Sequence, residues 1–202
     1  MSAYEVEKGK AWGISLWLIE KERLCGMAEI DAEVTHVDVN PKMQNQFTVS
    51  GHGYFGVWEY DMVEKVFDEN QTIKAKLSML VKEDILDHCW IKDSGILVVV
   101  VNPNTVYLFD NYELLGAYMF ELVTNESSEK PTHATERVVE SEGRLIPIED
   151  PENIKKSLRL DHHKFGVATI EPTAKGFVLG VKGVGLICLF ELGKRNEMNY
   201  MS

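Results

Sequence analysis

The stretch Val49-Ser50-Gly51-His52-Gly53-Tyr54-Phe55-Gly56-Val57-Trp58 decides the fold. Runs of β-branched and aromatic residues stand on both sides of a glycine-rich turn, which is the pattern of two antiparallel strands joined as a hairpin. Glycine suits such a turn because it adopts positive φ angles without steric cost. The stretch predicts strands over residues 47–50 and 54–58, with a Gly51-His52-Gly53 turn between them.

The same layout occurs twice more along the chain, and a partial copy precedes all three. In each copy a turn residue lies seven positions before a large aromatic residue. The predicted turn residues are Gly51, Asn102 and Gly183, and the aromatic residues that close the units are Trp17, Trp58, Phe109 and Phe190. Internal repeats of this kind indicate that the units share one structure.

Each unit predicts three short antiparallel strands, and a fourth strand fits between units, over residues 24–30, 62–67 and 114–122. A four-stranded antiparallel unit that repeats every 40 or so residues is typical of a WD40-type β-propeller blade. The sequence holds about three and a half to four such units. It therefore predicts an all-β fold, a single partial WD40 β-propeller over residues 1–202.

Two insertions lengthen the spacing between units. Residues 124–158 are acidic and rich in Ser, Thr and Pro, which predicts a flexible surface loop. Residues 68–84 predict one turn of helix near residues 75–81. By contrast, the apolar run at residues 96–101 predicts a central strand that is buried on both faces.

Composition narrows the classes of function. The 202 residues carry a formal net charge of −11, which argues against nucleic acid or an anionic membrane as a partner. The longest aliphatic run has six residues, whereas a spanning helix needs about 20. No secretory signal is visible in the first 20 residues, and the three cysteines are widely spaced, so we expect reduced thiols and a cytoplasmic location.

Several motifs invite a chemical interpretation. Residues 51–56 match G-x-G-x-x-G, but a dinucleotide site needs a helix directly after the motif, and a strand is predicted there. A nucleotide-binding enzyme remains a competing hypothesis. His162 and His163 are adjacent and predict a solvated pair, whereas His36 and His88 fall at matching places in two units and predict structural roles. We expect no catalytic site, cofactor, metal or small-molecule substrate.

The motifs resemble one family in their order. The segments are Asn40-Pro41 followed by residues 49–58, Asp87-His88-Cys89-Trp90, a long polar insertion, and Gly185 to Glu191. Together they resemble the WD-repeat proteins associated with cilia and flagella. The resemblance implies a non-enzymatic scaffold of the motile axoneme that anchors or regulates inner dynein arms on doublet microtubules.

The partners implied by the resemblance are dynein arm or regulatory subunits, or a second WD40 chain that completes the propeller. The sequence departs from the family because it shows no coiled-coil heptads and less than one propeller. The alternative is a general cytoplasmic WD40 adaptor without a ciliary role.

Overall fold

The computed structural model describes residues 2–7, 11–80, 83–101, 104–125, 140–149, 166–183, 185–193 and 198–201. These residues form four antiparallel sheets that follow one another along the chain. Sheet 1 holds β1 (Ser2–Glu7), β2 (Ala11–Leu18) and β3 (Arg23–Ile30). Sheet 2 holds β4 (His36–Val39), β5 (Gln46–Gly51), β6 (Tyr54–Asp61) and β7 (Val66–Glu69).

The third and fourth sheets continue the pattern. Sheet 3 holds β8 (Ile85–Trp90), β9 (Leu97–Val101), β10 (Thr105–Asp110), β11 (Glu113–Asn125) and β12 (Glu140–Pro147). Sheet 4 holds β13 (Gly166–Pro172), β14 (Gly176–Lys182), β15 (Leu186–Leu192) and β16 (Met198–Met201). In every sheet, strands that are consecutive in sequence pair with one another. The predicted all-β class and the repeated antiparallel unit are therefore confirmed.

The apolar core lies between the sheets, in three clusters. Ile14 of sheet 1 packs with Phe47 and Val49 of sheet 2. The second cluster joins sheet 2 to sheet 3 and includes Phe55, Val57, Val99 and Phe109. The third cluster joins sheet 3 to sheet 4 and includes Val98, Val100, Leu179 and Phe190. Because side chains alternate between the two faces of a strand, each inner sheet contributes to two clusters.

Strand β9 shows this alternation most fully. All five of its residues are buried. Val98 and Val100 belong to the cluster shared with sheet 4, whereas Leu97, Val99 and Val101 belong to the cluster shared with sheet 2. The predicted strand buried on both faces is confirmed.

The turn predicted over Gly51, His52 and Gly53 is shorter by one residue, Gly51, in the structure. Gly51 ends β5 and pairs with Tyr54, so the two turn residues are His52 and Gly53, the latter with φ of +66°. Glycine is required at residue 51 for a different reason, because a Cβ at this position would overlap the carbonyl oxygen of Glu33. Gly183 does lie in a turn, between β14 and β15, with φ of +93°. Asn102 lies outside the described residues.

Two predicted element boundaries were wrong in sheet 2 and its following connection. The fourth strand, β7, begins at Val66 rather than residue 62, because residues 62–65 form the turn and Lys65 has φ of +59°. The helix α1 runs over Gln71–Lys76 rather than residues 75–81. Its start is fixed by Asn70, whose Oδ1 accepts the N–H of Ile73 at 3.0 Å. No helix in the described ranges has the length and apolar character needed to cross a bilayer.

The predicted surface loop over residues 124–158 was wrong for residues 140–147, which form β12. This strand pairs with β11 over eight positions, from Tyr118 opposite Pro147 to Asn125 opposite Glu140. Leu145 packs against the core between sheets 3 and 4, and Ile148 against the core between sheets 2 and 3. Apolar side chains at these positions thus stabilise a fifth strand on sheet 3.

Candidate functional site

Polar side chains join the first strands of sheets 2, 3 and 4. His36 of β4 places Nδ1 3.2 Å from Oδ1 of Asp87 in β8. The other carboxylate oxygen of Asp87 accepts the N–H of Ile170 at 3.1 Å and the hydroxyl of Thr169 at 3.2 Å, both from β13. Asp87 therefore bridges three sheets. We call His36, Asp87, His88, Ser50 and Thr169 the inner-strand network.

His88 extends the network toward sheet 2. Its ring is fully buried, with Nδ1 2.9 Å from Oγ of Ser50 and its centroid 4.8 Å from that of His36 in an edge-on arrangement. Burial, together with the charge that His36 can carry, holds the pKa of His88 well below its usual value. His88 is consequently a neutral hydrogen-bonding group at physiological pH.

A second set of hydrogen bonds joins sheets 2 and 3. The carboxylate of Asp38 accepts the backbone N–H of Trp90 at 3.0 Å, and the indole N–H of Trp90 donates to Oγ1 of Thr48 at 3.0 Å. Burial raises the pKa of Asp38, although hydrogen bonds from the backbone of Trp90 and Val39 oppose the shift. Both hydrogen bonds thus pair polar groups across the interface between the two sheets.

His36, Asp87 and His88 also have the residue types of a metal site, with candidate ligand atoms within 4.8 Å of one another. The carboxylate of Asp87 and Nδ1 of His88 are already engaged, whereas Nε2 of His88 is buried without a hydrogen-bond partner among the described residues. Asp87 accepts hydrogen bonds from the backbone of His88 and Ile170 and from Thr169, and Nδ1 of His88 contacts Ser50. A cation at this place would compete with the hydrogen bonds of Asp87, which hold sheets 3 and 4 together.

Neither the G-x-G-x-x-G stretch nor the cysteine beside His88, Cys89, has the surroundings of a reactive site. The G-x-G-x-x-G stretch runs from the end of β5 into β6, so a strand follows it instead of the helix that would hold a pyrophosphate. Cys89 is buried, and its burial raises the pKa of the thiol far above its usual value, with further contributions from Asp38 and Asp87. A protonated, enclosed thiol is a poor nucleophile. His162 and His163 lie outside the described residues.

The four aligned aromatic residues share one orientation but differ in exposure. Trp58 packs in the cluster with sheet 1, Phe109 in the cluster with sheet 2, and Phe190 in the cluster with sheet 3. Each therefore faces the sheet that precedes its own. Trp17 is 49% exposed, and its indole N–H donates to Oγ of Ser15 at 3.0 Å. No preceding sheet is present among the described residues to cover it.

The hairpins β2–β3 and β6–β7 carry an exposed apolar surface. They are adjacent, because the hydroxyl of Tyr60 in β6 donates to the carbonyl of Cys25 in β3 at 2.8 Å. Ile19 is 83% exposed and Val63 is 88% exposed at the two turns. We call this surface the rim patch, and it consists of Leu18, Ile19, Leu24, Met62, Val63 and Val66. Several exposed apolar side chains on two neighbouring hairpins are a feature of interaction sites.

Sequence reasoning missed most of the inner-strand network and all of the rim patch. The matching places of His36 and His88 were one usable signal, since the two rings do lie side by side. A second usable signal was the presence of polar residues in otherwise apolar strands, at Asp38, Thr48 and Ser50. These strands prove to be buried or half-buried. The rim patch left no periodic signal, since its residues lie at turns.

No protein-family model and no curated protein matches the chain. Solved structures do. The chain is similar to the β-propeller domain of Cps50 (Swd1) from Myceliophteria thermophila, with a TM-score of 0.55 at 10% identity over 96% of this chain and 55% of that one. It is also similar to Hsv2 from Kluyveromyces lactis, with a TM-score of 0.45 at 13% identity over 96% of this chain and 55% of the other.

The first of these similarities establishes the fold. The four sheets are blades of a β-propeller, and the predicted partial WD40-type propeller is confirmed. The chain spans little more than half the length of the propeller domain that it matches. At 10% identity, this similarity supports the fold and not a function. The function therefore has to be argued from the surface of this chain.

Proposed function

We propose that the chain is a non-catalytic interaction module, which binds a protein partner through the rim patch. The observation that carries this proposal is the exposure of Ile19, Met62 and Val63, at 83%, 71% and 88%, on two adjacent hairpins. Exposed aliphatic side chains on two adjacent hairpins bury apolar area when a partner docks on them.

The scaffold beneath the patch is suited to this task. The hydroxyl of Tyr60 ties the first hairpin to the second, and the inner-strand network ties sheet 2 to sheets 3 and 4. Preorganised surfaces bind more tightly because less conformational freedom is lost on association. Asp87 and Nδ1 of His88, meanwhile, make hydrogen bonds that hold the sheets together.

We further propose that the partner belongs to the axoneme of a motile cilium or flagellum, such as an inner dynein arm or one of its regulatory subunits. The support is the order of sequence motifs around Asn40-Pro41, Asp87-His88-Cys89-Trp90 and residues 185–191, which resembles the cilia- and flagella-associated WD-repeat family. The chain carries a net charge of −11, so an extended surface that is itself acidic would repel it. The charge is consistent with a protein partner instead.

Retention in axonemes tests both parts of the proposal. An epitope-tagged chain is expressed in cells with motile cilia, and detergent-extracted, salt-washed axonemes are probed for the tag. We expect the wild-type chain to be retained and Val63→Glu to be largely released, since the new charge would lie within the buried part of the contact. Retention of neither protein would refute the axonemal location and leave a general cytoplasmic adaptor.

A matched control separates the rim patch from apolar exposure in general. Leu115 of β11 is 39% exposed and belongs to sheet 3, outside both of these hairpins. Leu115→Glu is expected to be retained like the wild type. Equal release of Leu115→Glu and Val63→Glu would contradict a partner site at the rim patch.

A further inference from the structure

Three loops lie together at one end of sheets 2, 3 and 4. Each loop joins the first and second strands of its sheet, and the loops comprise residues 40–45, 91–96 and 173–175. The side chain of Lys42 in the first loop lies over Gly95 in the second, where an added Cβ would be 2.6 Å from Cγ of Lys42. The second and third loops are joined by a hydrogen bond from the N–H of Asp93 to the carbonyl of Ala174, at 2.9 Å. The three loops therefore form one continuous surface, which we call the lysine surface.

Each loop of the lysine surface presents one exposed lysine, and these are Lys42, Lys92 and Lys175. None of their three ammonium groups forms an ion pair within the part of the chain that the structure describes. Lys74, by contrast, is paired with Glu69 at 2.7 Å. The three cations of the lysine surface are therefore available to the negative groups of a ligand.

Acidic side chains near the lysine surface are few or face elsewhere. The loops contain only Asp93, so three lysines and one aspartate give them a net charge of +2, in a chain of −11. Glu171 and Glu191 lie on the strands beside the third loop, and alternation places both on the face of sheet 4 that is turned away from sheet 3. Asp38, beside the first loop, is half-buried and accepts the backbone N–H of Trp90. The charge of the loops is thus opposite in sign to that of the whole chain.

Two exposed apolar side chains flank Lys42. Val39 is 38% exposed at the end of β4, and Met43 is 47% exposed directly after Lys42. Apolar area gains free energy when a partner covers it, whereas the neighbouring cations need negative groups opposite them. The lysine surface therefore fits a ligand that combines an apolar residue with negative charge.

Hydrogen bonds hold the loops in shape. In the first loop the buried Asn40 donates from Nδ2 to Oε1 of Gln46 at 2.8 Å, and its Oδ1 accepts the N–H of Lys42 at 2.9 Å. In the third loop, Oγ1 of Thr173 accepts the N–H of Gly176 at 3.0 Å. A surface that is ordered before binding loses less conformational freedom when a ligand docks on it.

We propose that the lysine surface binds a segment of a protein partner in which aspartate or glutamate side chains flank an apolar residue. The carboxylates pair with the ammonium groups of Lys42, Lys92 and Lys175, and the apolar residue packs on Met43 and Val39. A short acidic segment fits better than a long polyanion, because the rest of the chain, at a net charge of −11, repels charge that extends beyond the loops.

This inference depends on neither the rim patch nor the axonemal location. Binding is measured with the whole 202-residue chain and a fluorescent peptide of about 12 residues, in which glutamates surround two leucines. A matched peptide has glutamine in place of every glutamate, and we expect it to bind at least about tenfold more weakly. The affinity of the acidic peptide should also fall between about 0.05 M and 0.5 M salt, since salt screens exposed charges. Equal affinity for the two peptides, or no binding of the acidic one, would overturn the proposal.

Charge reversal locates the site. The test variant combines Lys42→Glu, Lys92→Glu and Lys175→Glu. The control variant changes the net charge by the same amount at exposed lysines outside the three loops, with Lys21→Glu, Lys65→Glu and Lys182→Glu. We expect the test variant to bind the acidic peptide at least about tenfold more weakly than the control variant does. Equal loss of affinity in the two variants would contradict a site on the lysine surface.

Further arms separate this site from folding, from the rim patch and from other anions. Circular dichroism should be unchanged in the test variant, and if it misfolds, the three lysines are changed to glutamine, where unchanged affinity would overturn the proposal. Val63→Glu should leave peptide binding intact, whereas a loss would place the peptide on the rim patch and refute the lysine surface. A DNA duplex or phosphatidylserine vesicles that bind more tightly than the acidic peptide, through the same lysines, would replace the protein partner.

Discussion

The carboxylate of Asp87 in sheet 3 accepts the backbone N–H of Ile170 in sheet 4, with 3.1 Å between Oδ2 and the nitrogen. The N–H of Ile170 lies in a buried strand position, where water is a poor replacement for the lost acceptor. The same carboxylate contacts His36 of sheet 2 through its other oxygen. One side chain thus holds the first strands of three sheets in register.

Removal of the Asp87 carboxylate should destabilise the folded chain. We expect Asp87→Ala to lower the free energy of unfolding by about 2 to 4 kcal/mol, since a buried N–H loses its acceptor at a cost of about 1–3 kcal/mol and the contacts with Thr169 and His36 are lost as well. Asp87→Asn keeps one carbonyl oxygen and should cost less. Urea unfolding measures both, and Asp110→Ala, at an exposed strand end, is the control, with an expected change below about 0.5 kcal/mol.

The buried His88 should make stability depend on pH. Because the pKa of His88 is well below its usual value of 6.5 in the folded chain, the unfolded chain binds more protons as the pH falls below 6.5. Stability is therefore complete above about pH 6.5 and decreases below it, by up to about 1.4 kcal/mol per pH unit. The free energy of unfolding is measured at pH 7.5 and 5.5 for the wild type and for His88→Gln. An equal decrease in the two proteins would contradict this assignment.

The aligned aromatic residues should differ in their contribution to stability. Phe109 and Phe190 are 1% exposed, so substitution of either by Ala should cost about 3–5 kcal/mol through lost burial and an added cavity. Trp17→Ala should cost less than half of that, because Trp17 is 49% exposed. All three variants are compared by urea unfolding.

The two glycines near the β5–β6 turn should respond differently to alanine. Gly51→Ala should cost about 3 kcal/mol, because its Cβ would overlap the carbonyl of Glu33 and force the backbone to move. Gly53→Ala meets no neighbour and should cost about 1–2 kcal/mol, through its positive φ alone. Thermal unfolding of the two variants gives the order, and a more stable Gly51→Ala would contradict the close approach to Glu33.

The three cysteines should differ in reactivity. Burial raises the pKa of the Cys89 and Cys188 thiols, whereas Cys25 is half-buried. We expect Ellman's reagent to modify Cys25 quickly in the folded chain and the other two only after unfolding, since the thiolate is the reactive form. The Cys25→Ser variant should then show no fast phase.

The parts of the fold set by local patterns were predictable from sequence. Alternating apolar residues and glycine turns were enough to place β5, β6, β9 and β10, because these strands pair with their neighbours in sequence. The strand β12 was not, because residues 140–147 lie in a polar segment, and their pairing with β11 depends on contacts of Leu145 with the core. Strand β1 was also missed, since Ser2–Glu7 is rich in acidic residues.

The candidate site was less predictable than the fold. The contact of Asp87 with Thr169 joins residues 82 positions apart, and nothing in either local sequence indicates the other. The rim patch depends on the adjacency of two hairpins, which the Tyr60–Cys25 hydrogen bond reveals and the sequence does not. Side-chain pairing between sheets is a property of tertiary packing, so short-range patterns do not encode it.

The 83-residue separation between Asp87 and Ile170 has a consequence for synthesis of the chain. At translation rates of about 5–20 residues per second, Asp87 is made roughly 4 to 17 s before its backbone partner. Through that interval, the valine-rich side of sheet 3 that sheet 4 later covers is open to water and to other nascent chains. Chaperones can shield this side of sheet 3 during the interval. A pause in translation between the two residues would lengthen the interval.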